Sequence, residues 1–264
     1  MGVKTQLSLA SLNSLFSSYN FIKLTPTSDG LIDTTFLASS NETNYIVKKF
    51  EQASKNQINK SNHFLEYLSL NGLNVSKCLE HKESWYIYER LTGATPKTTN
   101  TKHIQALARF LSKMHRLSYK KSTLNDFYES YKVQNLMLNI KIKHYSYYKK
   151  LSTLLAFTPQ NDGIIHGDIF RDNTVFNGDK LGVFDFIDFG NGSFVFDCAV
   201  TLVGFKVKKH NTYFINLFLN TYNQRAPKKI TKIELLRYLS ITAKFYALLR
   251  IEHYNSTKKA KKLL

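Results

Sequence analysis

Three oxygen-bearing side chains around one short stretch carry the chemistry this chain could perform: Asp168, Asn173 and Asp185. The first two lie five positions apart in Ile164-Ile165-His166-Gly167-Asp168-Ile169-Phe170-Arg171-Asp172-Asn173. Thr174-Val175-Phe176 follows as a β-rich run. Asn177-Gly178 is a strong hairpin turn, and Leu181 to Phe186 reads as the returning strand. Asp185 sits in an otherwise apolar run, where a carboxylate is costly to bury without a partner. A hairpin that brings the three side chains together offers three oxygens to one point. Oxygen ligands suit Mg²⁺, which takes one or two carboxylates and completes its shell with water and substrate phosphates.

Protein kinases use the same logic. One Asp accepts the substrate hydroxyl proton, an Asn five residues later holds a metal, and a later Asp holds the metals that bridge the phosphates. Here the triplet is His166-Gly167-Asp168 rather than His-Arg-Asp. In that form the stretch resembles the aminoglycoside-phosphotransferase and choline-kinase branch of the kinase fold, whose members phosphorylate small molecules. The resemblance implies Asp168 as the catalytic residue and Asn173 and Asp185 as the Mg²⁺ ligands. A literal Asp188-Phe189-Gly190 competes with Asp185 for the metal role. The family carries a further Asp twelve residues after the metal Asp; counted from Asp185 that position is Asp197, and counted from Asp188 it is Val200. Asp185 is therefore the expected ligand.

These residues need elements to hold them. Ser8 can cap a short helix with Leu9, Leu12, Leu15 and Phe16 on one face. Strands are predicted at Phe21 to Leu24, Thr34 to Ala38 and Asn44 to Phe50, with a turn over Thr27-Ser28-Asp29-Gly30. By resemblance this is the start of a kinase small lobe, with Gly30 in the loop over the phosphates and Lys48 reaching them from the third strand. Alternation puts Lys48 on one face with Ile46 and Phe50, and Lys49 on the other. Residues Lys55 to Asn71 form a helix stopped by Gly72. The family expects an acid there to pair with the lysine, but Glu66 is the helix's only acid and lies late. Trp85 to Glu89 is a strand running into a loop, and the resemblance implies that this loop is the hinge, with the backbone from Glu89 to Leu91 receiving adenine. A helix with Ile104, Leu107, Ala108, Leu111 and Met114 at core spacing ends at His115, read as a structural hydrogen-bonder. Helices follow over residues 136–157, after Asp197, and over Thr212 to Tyr222. Thr231-Lys232-Ile233-Glu234 is a capping box opening a long last helix.

At 264 residues and 43% hydrophobic composition, the chain can bury a core as one large domain or two lobes. No apolar run reaches the roughly 18 residues of a membrane span, and the opening residues lack a signal-peptide core. Cys78 and Cys198 both sit beside apolar residues, which argues against a disulfide framework. The net charge of +18 invites a nucleic-acid reading, but the lysines are scattered and the densest run, Lys258 to Lys262, is a terminal tail. A cytoplasmic protein without a specific nucleic-acid or membrane partner is expected.

The resemblance implies an α+β, two-lobed protein-kinase-like fold. Residues 1–91 would form a small β-rich N-lobe, and residues 92–264 a larger, mainly helical C-lobe. It implies ATP and Mg²⁺ as cofactors and transfer of the γ-phosphoryl to an alcohol. Within the branch the chain is most similar to homoserine kinases, through Val3-Lys4-Thr5, Gly30 to Phe36, Tyr45 to Glu51 and His166 to Asn173. That subfamily usually has Asn residues in the loop where this chain has Asp33 and Thr35. L-Homoserine is accordingly the favoured acceptor, and Arg171 a candidate for its carboxylate or for the transferring phosphate. Choline, a sugar or an aminoglycoside are the alternative acceptors, though polycationic aminoglycosides suit a chain of +18 poorly. A catalytically inactive kinase-fold binding protein is the alternative of another class. The protein is expected to act on a small-molecule substrate as a monomer or homodimer.

Overall fold

The computed structural model describes residues 3–27, 32–122, 126–253 and 256–264. The chain divides into two compact units, Met1–Gly93 with Gly182–Ile187, and Ala94–Leu181 with Asp188–Leu264.

The first unit begins with α1 (Leu9–Leu15), whose N-cap Ser8 accepts the Ser11 N–H as expected. Strands β1 (Lys23–Pro26), β2 (Thr34–Ser39) and β3 (Asn44–Lys49) precede α2 (Lys55–Leu70), and β4 (Cys78–Lys82) and β5 (Trp85–Glu89) complete the sheet. It is antiparallel, in the order β1-β2-β3-β5-β4. Register decides which side chains are inside. Val47 lies opposite Phe36 on one neighbour and Ile87 on the other, and these three pack with Leu12 and Phe16 of α1 in one core. Lys48 lies opposite Thr35 and Tyr86, and therefore faces the other side of the sheet. On that side Tyr88 donates its hydroxyl to Asn62 of α2. The helix closes where the sequence predicted a stop: Gly72 takes φ +74°, and the Leu73 N–H reaches the Leu68 carbonyl.

The second unit is mainly helical. Helix α3 (Thr101–Ser118) is capped by Asn100 and buries each of the five apolar positions read from its spacing. Short α4 (Phe127–Ser130) leads to α5 (Val133–Lys143) and α6 (Tyr145–Leu151). The single helix predicted over 136–157 is thus broken at His144, whose φ of −145° and ψ of 59° lie outside the helical region. Strand β6 (Gly163–Ile165) pairs antiparallel with β9 (Gly190–Gly192). Between them β7 (Thr174–Asn177) and β8 (Lys180–Val183) form the expected hairpin. The returning strand stops at Val183 rather than Phe186 because Asp185 has φ +66°, a left-handed backbone no strand continues through. Helices α7 (Phe194–Gly204), α8 (Thr212–Asn223), α9 (Lys232–Glu252) and α10 (Thr257–Lys261) finish the unit. The capping box read at Thr231 and Glu234 opens α9.

Phe245 of α9 anchors this helical core. It is fully buried, with Phe196 of α7 edge-on at 5.6 Å and Tyr131 at 5.3 Å between ring centres. Phe245→Ala should lower the unfolding free energy by about 3–5 kcal/mol through lost transfer energy and a residual cavity. Urea denaturation with an unchanged slope would show it. A loss below about 1 kcal/mol would mean that the aromatic cluster refills the hole.

Candidate active site

The loop after β6 is fixed by a carboxylate remote in sequence. Asp197, in the first turn of α7, accepts the His166 N–H at 3.0 Å and the Gly167 N–H at 2.8 Å. Its Oδ2 also lies 3.0 Å from His115 Nε2, and His115 Nδ1 lies 2.8 Å from the Tyr222 hydroxyl. With Nε2–H donating to the carboxylate, Nδ1 is left to accept from Tyr222. Both Asp197 and His115 are 0% exposed. Burial alone would raise the Asp197 carboxyl. The donated bonds and the nearby imidazoles of His115 and His166 outweigh burial and hold it below the usual carboxylate range.

Gly167 explains why this triplet lacks the arginine of protein kinases. Its φ is +78°, and an added Cβ would sit 2.1 Å from the ring of Phe127. Its carbonyl accepts the hydroxyl of buried Tyr246. The loop is thus gripped at successive N–H groups and at a C=O, and it delivers Asp168 with its N–H on His166 Nδ1 at 3.1 Å. A short 3₁₀ turn, Arg171–Asn173, then brings Asn173 back. Its amide nitrogen donates to the Asp168 carbonyl at 2.9 Å and to the Asp168 carboxylate at 2.8 Å. Those bonds use the amide nitrogen and not the oxygen, which is the atom a divalent cation would take.

Arg171 is bonded to its own unit. Its guanidinium donates to the Lys97 carbonyl at 2.8 Å, the Thr99 hydroxyl at 2.7 Å and the Phe205 carbonyl at 3.1 Å. It ties the catalytic turn to two neighbouring segments, in place of the loop salt bridge that would be the ordinary use of such a residue.

In the first unit, Lys48 is bonded to Asp185 at 2.8 Å and to Asp33 at 3.1 Å. Burial pulls its pKa down, but the charges of Asp185 and Asp33 prevail and hold the ammonium above the ordinary lysine value. Phe50 lies on the same face, its ring centre 4.6 Å from the ammonium, whereas Lys49 bonds Thr5 and lies over Trp85. The alternation read from the sequence therefore separates the two lysines as expected. Helix α2 steadies the segment after Asp185 through Gln57 on the Ile187 carbonyl and Ser61 on the Phe186 carbonyl. Of the competing acids Asp185 and Asp188, Asp185 is the one ion-paired to Lys48.

At the hinge position, the Glu89 N–H donates to the Lys77 carbonyl and its carbonyl accepts the Ser76 hydroxyl. Leu91 follows the end of β5, half-buried. Gly30 lies outside the described residues. Asp33 and Tyr246 are the residues that sequence reasoning missed. Asp33 was visible only as an acid where relatives carry Asn, and Tyr246 as one more apolar position of a long helix.

Asn173 and Asp185 each carry an oxygen of the kind Mg²⁺ takes. Among the described residues no cluster of three or more His, Cys, Asp or Glu is placed to hold a metal. An ion that draws on few protein oxygens and completes its shell with phosphates and water needs no such cluster.

The fold and these residues define a small-molecule phosphotransferase with a two-lobed, protein-kinase-like architecture. The chain belongs to the phosphotransferase enzyme family, which it matches over residues 23–215. It is similar to homoserine kinase of Methylobacillus glycogenes, 21% identical over 252 residues that cover 86% of this chain and 79% of that one. Among solved structures it resembles choline kinase LicA from Streptococcus pneumoniae, with a TM-score of 0.69 and 15% identity over 95% of this chain and 96% of that one. It also resembles amicoumacin kinase in complex with AMP-PNP and Ca²⁺, with a TM-score of 0.68 and 16% identity over 96% and 90% of the two chains.

The Asp197 network yields a pH prediction. A carboxyl held below its unfolded value of about 3.9 contributes stability that is complete above that value and lost as pH falls through the folded value. Asp197→Asn keeps the shape but turns an amide N–H donor toward N–H donors, and should cost about 3–5 kcal/mol at neutral pH. The variant's stability should then change less than the wild type's as pH drops below about 4. Parallel stability curves for the two proteins would show that Asp197 does not carry the acid sensitivity.

Proposed function

We propose that the chain transfers the γ-phosphoryl group of ATP to the side-chain hydroxyl of L-homoserine, giving O-phospho-L-homoserine in the cytoplasm. The observation that carries the transfer step is the Asp168–Asn173 pair, held on a loop that Asp197 fixes. The homoserine assignment is supported by the resemblance of the loop and strand pieces around Lys48 and by the similarity to a homoserine kinase.

Asp168 orients the acceptor hydroxyl in line with the phosphorus and takes its proton. The bond from the γ-phosphorus to the β,γ-bridging oxygen breaks as the bond to the homoserine oxygen forms, and ADP leaves. Lys48 holds the phosphates, and Gly30 belongs to the loop that covers them. The backbone between Glu89 and Leu91 receives adenine. Asn173 and Asp185 would supply oxygens for Mg²⁺, and the ion would neutralise charge on the phosphates. Because the transition state of such transfers is loose, Asp168 acts more by positioning than by basicity. In this reading Arg171 braces the turn, its guanidinium donating to Lys97, Thr99 and Phe205.

Purified protein with Mg²⁺ and ATP should phosphorylate homoserine at a far higher kcat/KM than serine, threonine or choline. Asp168→Asn should lower turnover by about 10²- to 10⁴-fold with little change in nucleotide affinity. Efficient turnover of choline or a sugar with homoserine untouched would move the acceptor and leave the kinase reading intact. No turnover with any acceptor and no Mg²⁺–ATP binding would remove both.

A further inference from the structure

Protein kinases aim the strand lysine at the phosphates by pairing it with a glutamate of the helix that follows the strand. Among the described residues there is no such pair. Glu66, the only acid of α2, is exposed. The side chains α2 brings to this side of the sheet are neutral: Ser61 bonds the Phe186 carbonyl and Asn62 the Tyr88 hydroxyl. What holds Lys48 instead is a carboxylate just before β2.

We propose that Asp33 is a positioning residue, the fixed partner that keeps Lys48 aimed while Asp185 turns to other work. The inference rests on the kinase reading above. Asp33 is engaged through both oxygens, with Oδ2 3.1 Å from the Lys48 ammonium and Oδ1 accepting the Glu51 N–H at 3.2 Å. Glu51 is itself anchored, since its Oε1 accepts the hydroxyls of Thr34 at 2.6 Å and Thr5 at 2.8 Å. Thr34 Oγ1 in turn accepts the N–H groups of Lys4 and Thr5. Asp33 is therefore tied into the frame of the sheet. The two arms on Lys48 differ in accessibility, Asp33 being 12% exposed and Asp185 37% exposed. A carboxylate that also serves a cation shares its oxygens between the cation and the ammonium. If Asp185 were the only partner, Lys48 would lose its anchor as the phosphates arrive. Asp33 removes that conflict, because among the described residues its ion pair is with Lys48.

Two measurements test the role, one of them on protein without nucleotide or metal. The first is a double-mutant cycle on melting temperature. Asp33→Asn should lower Tm by about 2–4 °C in the wild type, and should leave it unchanged or raise it in a Lys48→Met background. Asn keeps an oxygen for the Glu51 N–H, so the variant should fold. The second is steady-state kinetics with homoserine, or with the intrinsic hydrolysis of Mg²⁺–ATP. Asp33→Asn should reduce kcat roughly 10- to 100-fold, the scale of a misaimed group, with calorimetric binding stoichiometry and nucleotide affinity nearly unchanged. Glu66→Gln should stay within about twofold of wild type in both measurements. Additive melting shifts, or an Asp33→Asn variant as fast as wild type, would overturn the role of Asp33 alone. A loss of kcat matched by a loss of stoichiometry would overturn it too, by showing only a smaller folded fraction. A wild type that neither turns over nor binds Mg²⁺–ATP would overturn the kinase reading and the positioning role with it.

Discussion

A single buried carboxylate holds the loop that carries Asp168. Asp197 has given up its hydration entirely, and a bare charge in that position would cost several kcal/mol. It is tolerated because the two backbone N–H groups of His166 and Gly167 and the His115 imidazole replace the lost water. The exchange works only as a set. Remove one donor and the others surround a charge that is incompletely satisfied. The chain bends to suit that set: Gly167 takes a backbone angle that a side chain would resist, and Phe127 fills the space where a Cβ would go. The direction of Asp168 is a consequence of that bend, and Asn173 then locks the carboxylate from the other side.

The first unit solves a different electrostatic problem. Lys48 must stay charged and in place although its side chain is largely buried, and it is surrounded by carboxylates to that end. Strand register makes this possible, because the one-residue step from Val47 to Lys48 separates an apolar core from a charged face. Helix α2 contributes without a charge of its own, by holding the backbone just beyond Asp185. The thiols take no part. Both cysteines are free, and burial pushes Cys78 up to about 11, so it is not poised as a nucleophile.

The comparisons divide along the same line. Solved structures at 15% and 16% identity share the architecture over nearly the whole chain, while their names point to choline in one case and amicoumacin in the other. One scaffold can thus serve different acceptors, which are chosen by side chains beyond the shared architecture.

What the amino-acid sequence by itself determined is mostly local. The Ser8 and Thr231 caps, the stop at Gly72, the Asn177-Gly178 hairpin and the opposite faces of Lys48 and Lys49 follow from backbone preference and alternation over a few residues. The spacing of Asp168, Asn173, Asp185 and Asp197 was legible through resemblance to a family with the same intervals. Tertiary structure alone decided the partners. Lys48 meets Asp185 across 137 residues of chain and His115 meets Asp197 across 82, and no periodicity encodes such pairs. It likewise ended the returning strand at Val183, since the positive φ of Asp185 is not written in the apolar run around it. It gave the Arg171 guanidinium partners at Lys97, Thr99 and Phe205 that lie far from it in sequence. Local rules report what one segment prefers. Which charge a buried group will meet depends on segments that only the folded chain brings within 3 Å.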